Sequence, residues 1–162
     1  MKSLNDCVAD YTRQLNNGRI AEAYRGILGF MSDLRRYLMQ RYPNSKASAI
    51  YPGYLDMTYF ALTPADLRTR NLKIAIVYLH QDNRFELWLS GGNKAVQSEY
   101  IRQLQRCDIG DYRLSQALPG VDSILVQRMN DHPDFDDPDS LMVSLENHII
   151  RFSGEVRRML DL

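Results

Sequence analysis

Arg84, Glu86 and Trp88 alternate with Phe85, Leu87 and Leu89 in the run RFELWLS. Side chains two apart on a strand share a face, so an acid, a base and an indole come together there. A carboxylate on a partly covered face has to be paired or hydrogen-bonded, because burying a lone charge is expensive, and Arg84 is the partner at hand. Tyr54 and Asp56, in the aromatic run YLDMTYFAL, are the residues expected to join them. Converged, Tyr54, Asp56, Arg84, Glu86 and Trp88 form a pocket with a stacking platform, two acids and a base, suited to a small polar or heteroaromatic ligand. A second use of the same residues is catalysis, with Glu86 or Asp56 as general base, which requires a carboxylate free to exchange a proton in an open cleft. A third reading needs no pocket: an interaction protein that uses a helix face, for instance to form a homodimer.

Other chemistries find less support. Asp56 and Glu86 on neighbouring strands evoke the acidic pair of a metal-dependent nuclease, but Trp88 stands where a Lys two residues after the second acid is needed. The acidic turn with Asp131, Asp134, Asp136, Asp137 and Asp139 lacks the Gly and Glu of a calcium loop; Asp137 as helix N-cap ahead of Pro138 accounts for much of it. His80, His132 and His148 are scattered, without zinc-ligand spacing. Ser90-Gly91-Gly92-Asn93-Lys94 is a strand-to-helix turn able to present amides to an anion, without a full phosphate-loop pattern. No metal or other cofactor is therefore expected.

Composition limits the partners. Lys plus Arg and Asp plus Glu number 20 each, for a formal net charge of zero, whereas coating nucleic acid or an anionic membrane runs on excess positive charge. Hydrophobic residues at 44% and charged residues at 25% describe a globular chain, and its 162 residues fit one domain, 1–162. Cys7 and Cys107 offer no disulfide framework. The amino-terminal stretch has no signal-peptide core, and no apolar run approaches the ~20 residues of a membrane span. A cytoplasmic protein is expected.

The elements that must position these residues follow from periodicity. Helical spacing predicts a helix from Ser3 to Asn16, on Leu4, Cys7, Val8, Tyr11 and Leu15, with Ser3 and Asp6 as a capping box. After Asn17-Gly18 a longer helix runs from Ile20 to Arg41, its stripe being Ile20, Ala23, Tyr24, Ile27, Phe30, Met31, Leu34 and Leu38; Gly26 and Gly29 within it suggest another element packed closely there. Strands are expected over Ala47–Tyr51, Tyr54–Leu62, Leu72–His80 and Arg84–Ser90, with a short helix Pro64–Thr69. A two-residue Asp82-Asn83 turn sets Glu86 opposite Leu79; one face then carries Ile74, Ile76, Tyr78, Phe85, Leu87 and Leu89, and the other Ala75, Val77, Leu79, Arg84, Glu86 and Trp88. A three-residue loop would reverse that parity. A helix over Asn93–Arg106, a long irregular stretch Asp108–Ser123, a short edge strand Ile124–Arg128 and a final helix Pro138–Leu160 complete the chain. The fold class is α+β: an antiparallel meander of four or five strands packed by an N-terminal helical hairpin, a middle helix and a C-terminal helix.

The texts GYLDMTYFAL, LKIAIVYLHQDNRFELWLSGGNK, PGVDSI and HPDFDDPDSL resemble a bacterial family of small single-domain proteins grouped as a domain of unknown function. The resemblance runs from Asn5 to near Arg158. It implies a small cytoplasmic bacterial protein and brings no activity, catalytic residue or cofactor with it.

Overall fold

A computed structural model describes the chain from Met1 to Leu162, the side chain of Asn130 excepted. In order, the elements are α1 (Leu4–Asn16), α2 (Arg19–Arg41), β1 (Lys46–Ala47), β2 (Met57–Thr63), α3 (Ala65–Arg68), β3 (Leu72–Leu79), β4 (Arg84–Gly91), α4 (Lys94–Leu104), β5 (Arg113–Leu114), β6 (Ser123–Asp131) and α5 (Pro138–Leu160). The strands form one antiparallel sheet of order β1-β2-β3-β4-β6-β5. The α+β class holds, with six strands in place of four or five.

One hydrophobic cluster joins the inner face of the sheet to α2, α4 and α5. Phe60, Ile74, Ile76, Phe85, Leu87 and Leu89 meet Met31, Leu34 and Leu38 of α2, Tyr100, Ile101 and Leu104 of α4, and Ile149, Phe152 and Val156 of α5. These are the strand residues of one parity and the helical residues of one stripe. Asp137 caps α5 by accepting from the Ser140 amide at 3.3 Å. Ser3 and Asp6 make the reciprocal capping box of α1. The acidic turn before α5 is anchored by Phe135, whose ring packs edge-on against Phe30 and Tyr78.

Several boundaries differ from expectation. The β3–β4 connection is the four-residue segment 80–83 rather than a two-residue turn, so Leu79 faces Arg84 and Glu86 faces Val77. The slip is two residues, an even number, and both faces keep their composition. Ala47–Tyr51 shortens to Lys46–Ala47 plus a single bridge between Tyr51 and Tyr59. The expected edge strand Ile124–Arg128 is the nine-residue β6, interior to the sheet, with β5 from the irregular stretch outside it. Gly26 and Gly29 are open: a side chain built on either would meet nothing within 4 Å. Only the second half of α2 is buried, and α1 buries no residue at all.

Candidate functional site

The outer face of the sheet lies opposite the face that packs α2, α4 and α5. Register places Tyr59, Val77 and Glu86 in one cross-strand row with Arg128, and Ala61, Ala75 and Trp88 in the next with Val126. Large aromatic side chains therefore stand beside alanines. That difference in bulk opens a cleft of about 450 Å³ lined by Tyr51, Asp56, Tyr59, Ala75, Trp88 and Lys94, among others.

Two local devices build its ends. At one end, residues 53–57 turn tightly. Gly53 has φ +79°, and a β-carbon there would lie 1.8 Å from the Met57 carbonyl oxygen, so only glycine fits. Asp56 accepts from the Tyr54 amide at 2.8 Å. That bond, with one from the Met57 amide, holds the Asp56 carboxyl below the usual range. His80 braces the turn: its amide donates to the Asp56 carbonyl at 3.0 Å, and its Nε2 lies 2.8 Å from Thr58 Oγ1. Burial pushes the His80 pKa down, with Asp56 opposing. At the other end, Gly91 and Gly92 bring α4 directly off β4. A β-carbon on Gly92 would fall 2.1 Å from Asn71 Oδ1, and one on Gly91 would fall 2.9 Å from the Gln97 amide nitrogen. Asn93 then caps α4 by accepting from the Val96 amide at 2.9 Å. Lys94 Nζ donates to the Val121 carbonyl at 2.6 Å and lies 3.6 Å from Asp122. Lys73 stands on the cleft lining, exposed, and among the described residues has no ion-pair partner.

The five expected site residues fall into three groups. Arg84, Glu86 and Trp88 are brought together. Arg84 Nε donates to Glu86 Oε2 at 2.8 Å, a second guanidinium nitrogen lies 2.8 Å from the same oxygen, and Trp88 Nε1 donates to Oε1 at 2.9 Å. Both carboxylate oxygens are occupied, and Glu86 is 3% exposed. Burial alone would lower the Arg84 pKa, but the Glu86 hydrogen bond and charge hold it above its usual value. Asp56 reaches the cleft, yet as part of the turn before β2. Tyr54 does not join: it is 86% exposed, its ring edge-on to Tyr51. The strand expected from Tyr54 begins only at Met57, because Leu55 takes φ +65° and breaks the extension. Parity then puts Met57 and Tyr59, not Asp56 and Thr58, on the face of Glu86 and Trp88. Thr58 pairs with Tyr78 and is wholly buried.

Sequence reasoning missed Tyr51, Tyr59, Lys73 and Gln97 as cleft residues, while the Ser90–Lys94 turn, read as able to present amides to an anion, does line the cleft. The Tyr59 contribution was legible in strand parity once the start of β2 was known. Gln97 carried no such signal: its amide nitrogen donates to the Val121 and Ser123 carbonyls at 2.8 and 3.0 Å, a contact across 24 and 26 residues.

Among the described residues no cluster of three or more His, Cys, Asp or Glu side chains is arranged to hold a metal ion, and no helix is long and apolar enough to cross a membrane. No curated protein and no solved structure matches the chain. A family model covers residues 4–160, nearly the full length, and the chain belongs to the family it describes, the domain of unknown function DUF7000.

Proposed function

We propose that the chain is a binding module that takes a small, flat, polar ligand in the cleft beside Trp88. The observation that carries this reading is the wall-and-floor arrangement of the outer face. Trp88, Tyr59 and Tyr51 supply ring surfaces around a floor kept low by Ala75, with Lys73 and Asp56 as polar groups at the margin. Ring faces beside several polar side chains, Asp56, Lys73, Asn93, Lys94 and Gln97 among them, suit a ligand that is both flat and polar, and ring stacking rewards flat ones. The Arg84–Glu86 pair acts behind the cleft: by accepting from the indole, Glu86 fixes the plane of Trp88, as a preorganised wall requires.

The same geometry weighs against general-base catalysis by the two acids. Glu86 has both oxygens engaged and little access to water; a base must reach the proton it removes. Asp56 is committed to its turn. A cytoplasmic location belongs to this proposal and is supported by Cys7 and Cys107 both being unpaired thiols.

Trp88 is the only tryptophan in the chain, so its emission reports directly on the cleft. Nucleobases, nucleosides, aromatic amino acids and flat organic acids are titrated against the protein while tryptophan emission and melting temperature are followed. A member that binds quenches or shifts the emission and raises the melting temperature, and Tyr59→Ala and Lys73→Ala weaken both effects. If no member of the panel alters either signal, the ligand cleft is refuted.

A further inference from the structure

Helix α1 is amphipathic but unsupported. It spans 13 residues and none is buried, although helices of this length are marginal in water and depend on packing their apolar face. Its stripe remains open: Leu4 is 78% exposed, Val8 50%, Tyr11 57% and Leu15 37%, and the stripe continues onto α2 with Ile20 at 42%. α1 makes its main contacts with α2, while the first half of α2 is tied to the body through Tyr24, whose ring lies 5.8 Å from that of His80 and whose hydroxyl donates to the Pro52 carbonyl; α1 is thus the outlying arm.

The character of the stripe selects its occupant. Leu4, Val8, Tyr11 and Leu15 follow the 4-3-4 spacing of a coiled-coil seam, which is complementary to another helix. The positions flanking that seam are Asn5, Cys7, Thr12 and Gln14, all uncharged, so two identical seams meet without like-charge opposition. The charges near it are settled within the arm: Asp10 pairs with Lys2 at 3.2 Å and with Arg13. No unpaired field is left to choose a charged protein. Two acids, Asp6 and Asp10, offset Lys2 and Arg13 on the polar side, whereas a helix lying on an anionic membrane carries an excess of cations there. The whole chain is neutral, so copies do not repel. The five open side chains amount to on the order of 500 Å² of surface, so two copies face to face remove at most about 1,000 Å², the size of a weak, concentration-dependent interface.

We infer that the partner of this face is a second copy of the chain: two arms pair through their α1 seams into a two-fold helical bundle, on a surface separate from the Trp88 cleft. The test is sedimentation velocity and light scattering from about 1 to about 200 µM, in reducing buffer so that exposed Cys7 cannot supply the link. Wild type moves from 18.8 kDa towards twice that mass as concentration rises. The Val8→Glu/Tyr11→Glu variant remains monomeric throughout, with the unfolding of the sheet, followed by Trp88 emission, unchanged. The milder Val8→Ala/Tyr11→Ala variant weakens the dimer by at least about tenfold, the equivalent of losing one buried side chain. Three results overturn the proposal: a wild type monomeric over the whole range, a dimer indifferent to both variants, or a monomer that sediments with anionic lipid vesicles.

Discussion

Replacing Glu86 with Gln removes one charge from a site with little solvent and leaves the shape nearly intact. The carboxylate accepts from Arg84 on one oxygen and from the Trp88 indole on the other. A glutamine has one acceptor and one donor end, so it serves one of the two partners and turns N–H groups towards the other. A hydrogen bond to a charged group contributes about 1.5–3 kcal/mol, and breaking a fully buried pair costs about 3–5 kcal/mol. Arg84 keeps 17% side-chain exposure and has Asp82 at 3.6 Å as a fallback, which moderates the loss. The expected destabilisation is therefore about 2 kcal/mol, a drop in melting temperature of about 4–8 °C for a chain of this size. Urea unfolding followed by Trp88 emission and by circular dichroism measures it. The double-mutant cycle with Arg84→Leu should show coupling of about 1–2 kcal/mol, because the two changes remove the same interaction. A Glu86→Gln protein as stable as wild type, with effects additive to those of Arg84→Leu, would refute the reasoning: the carboxylate would then be free, and the general-base reading would regain its ground.

Two further perturbations follow from the geometry. Glu146, 4% exposed on α5, accepts from Arg41 Nε at 2.6 Å, from the Tyr42 hydroxyl at 2.6 Å and from the Tyr37 hydroxyl; burial alone would raise its pKa, but these bonds hold it below the usual glutamate range. A depressed carboxyl stabilises the fold above its unfolded pKa, and that stability is lost as pH falls through the folded value. The gap in melting temperature between wild type and Glu146→Gln should thus be constant above about pH 5 and narrow below about pH 4; a gap that widens on acidification contradicts it. Gly92→Ala pushes a methyl against the Asn71 side chain and should lower the melting temperature, and Asn71→Gly, at a position with φ +57°, should restore most of the loss. Failure of that rescue would show that the close approach is not the cause.

Local signals carried much of the fold because they act locally. The Ser3 and Asp137 caps, the β3 and β4 runs and the parity that sorts Ile74, Ile76 and Tyr78 from Ala75 and Val77 are consequences of side-chain periodicity and hydrogen-bonding type within a few residues. Parity survived an error in the loop because a slip of two residues returns every side chain to its own face. The Arg84–Glu86–Trp88 group was legible for the same reason: three residues on one strand need no tertiary information to share a face.

What tertiary structure alone decided lies across long separations. The aromatic neighbours of Tyr54 predict a strand there, whereas the backbone at Leu55, with φ +65°, places it in solvent. Parity tells which face packs on helices, the one with Ile74, Ile76 and Leu87, but not how the loops and the start of α4 shape the other face. The cleft exists because Trp88 and Tyr59, with Tyr51 packed on Tyr59, stand around the small Ala75, and because Gly91 and Gly92 let α4 start where Lys94 and Gln97 reach its rim. The stripe on α1 makes the same point from the opposite side. Its amphipathic pattern was plain in the sequence, and pattern states only that an apolar face needs covering. The tertiary structure showed that the rest of the chain does not cover it, since the body buries α2 only from Phe30 onward.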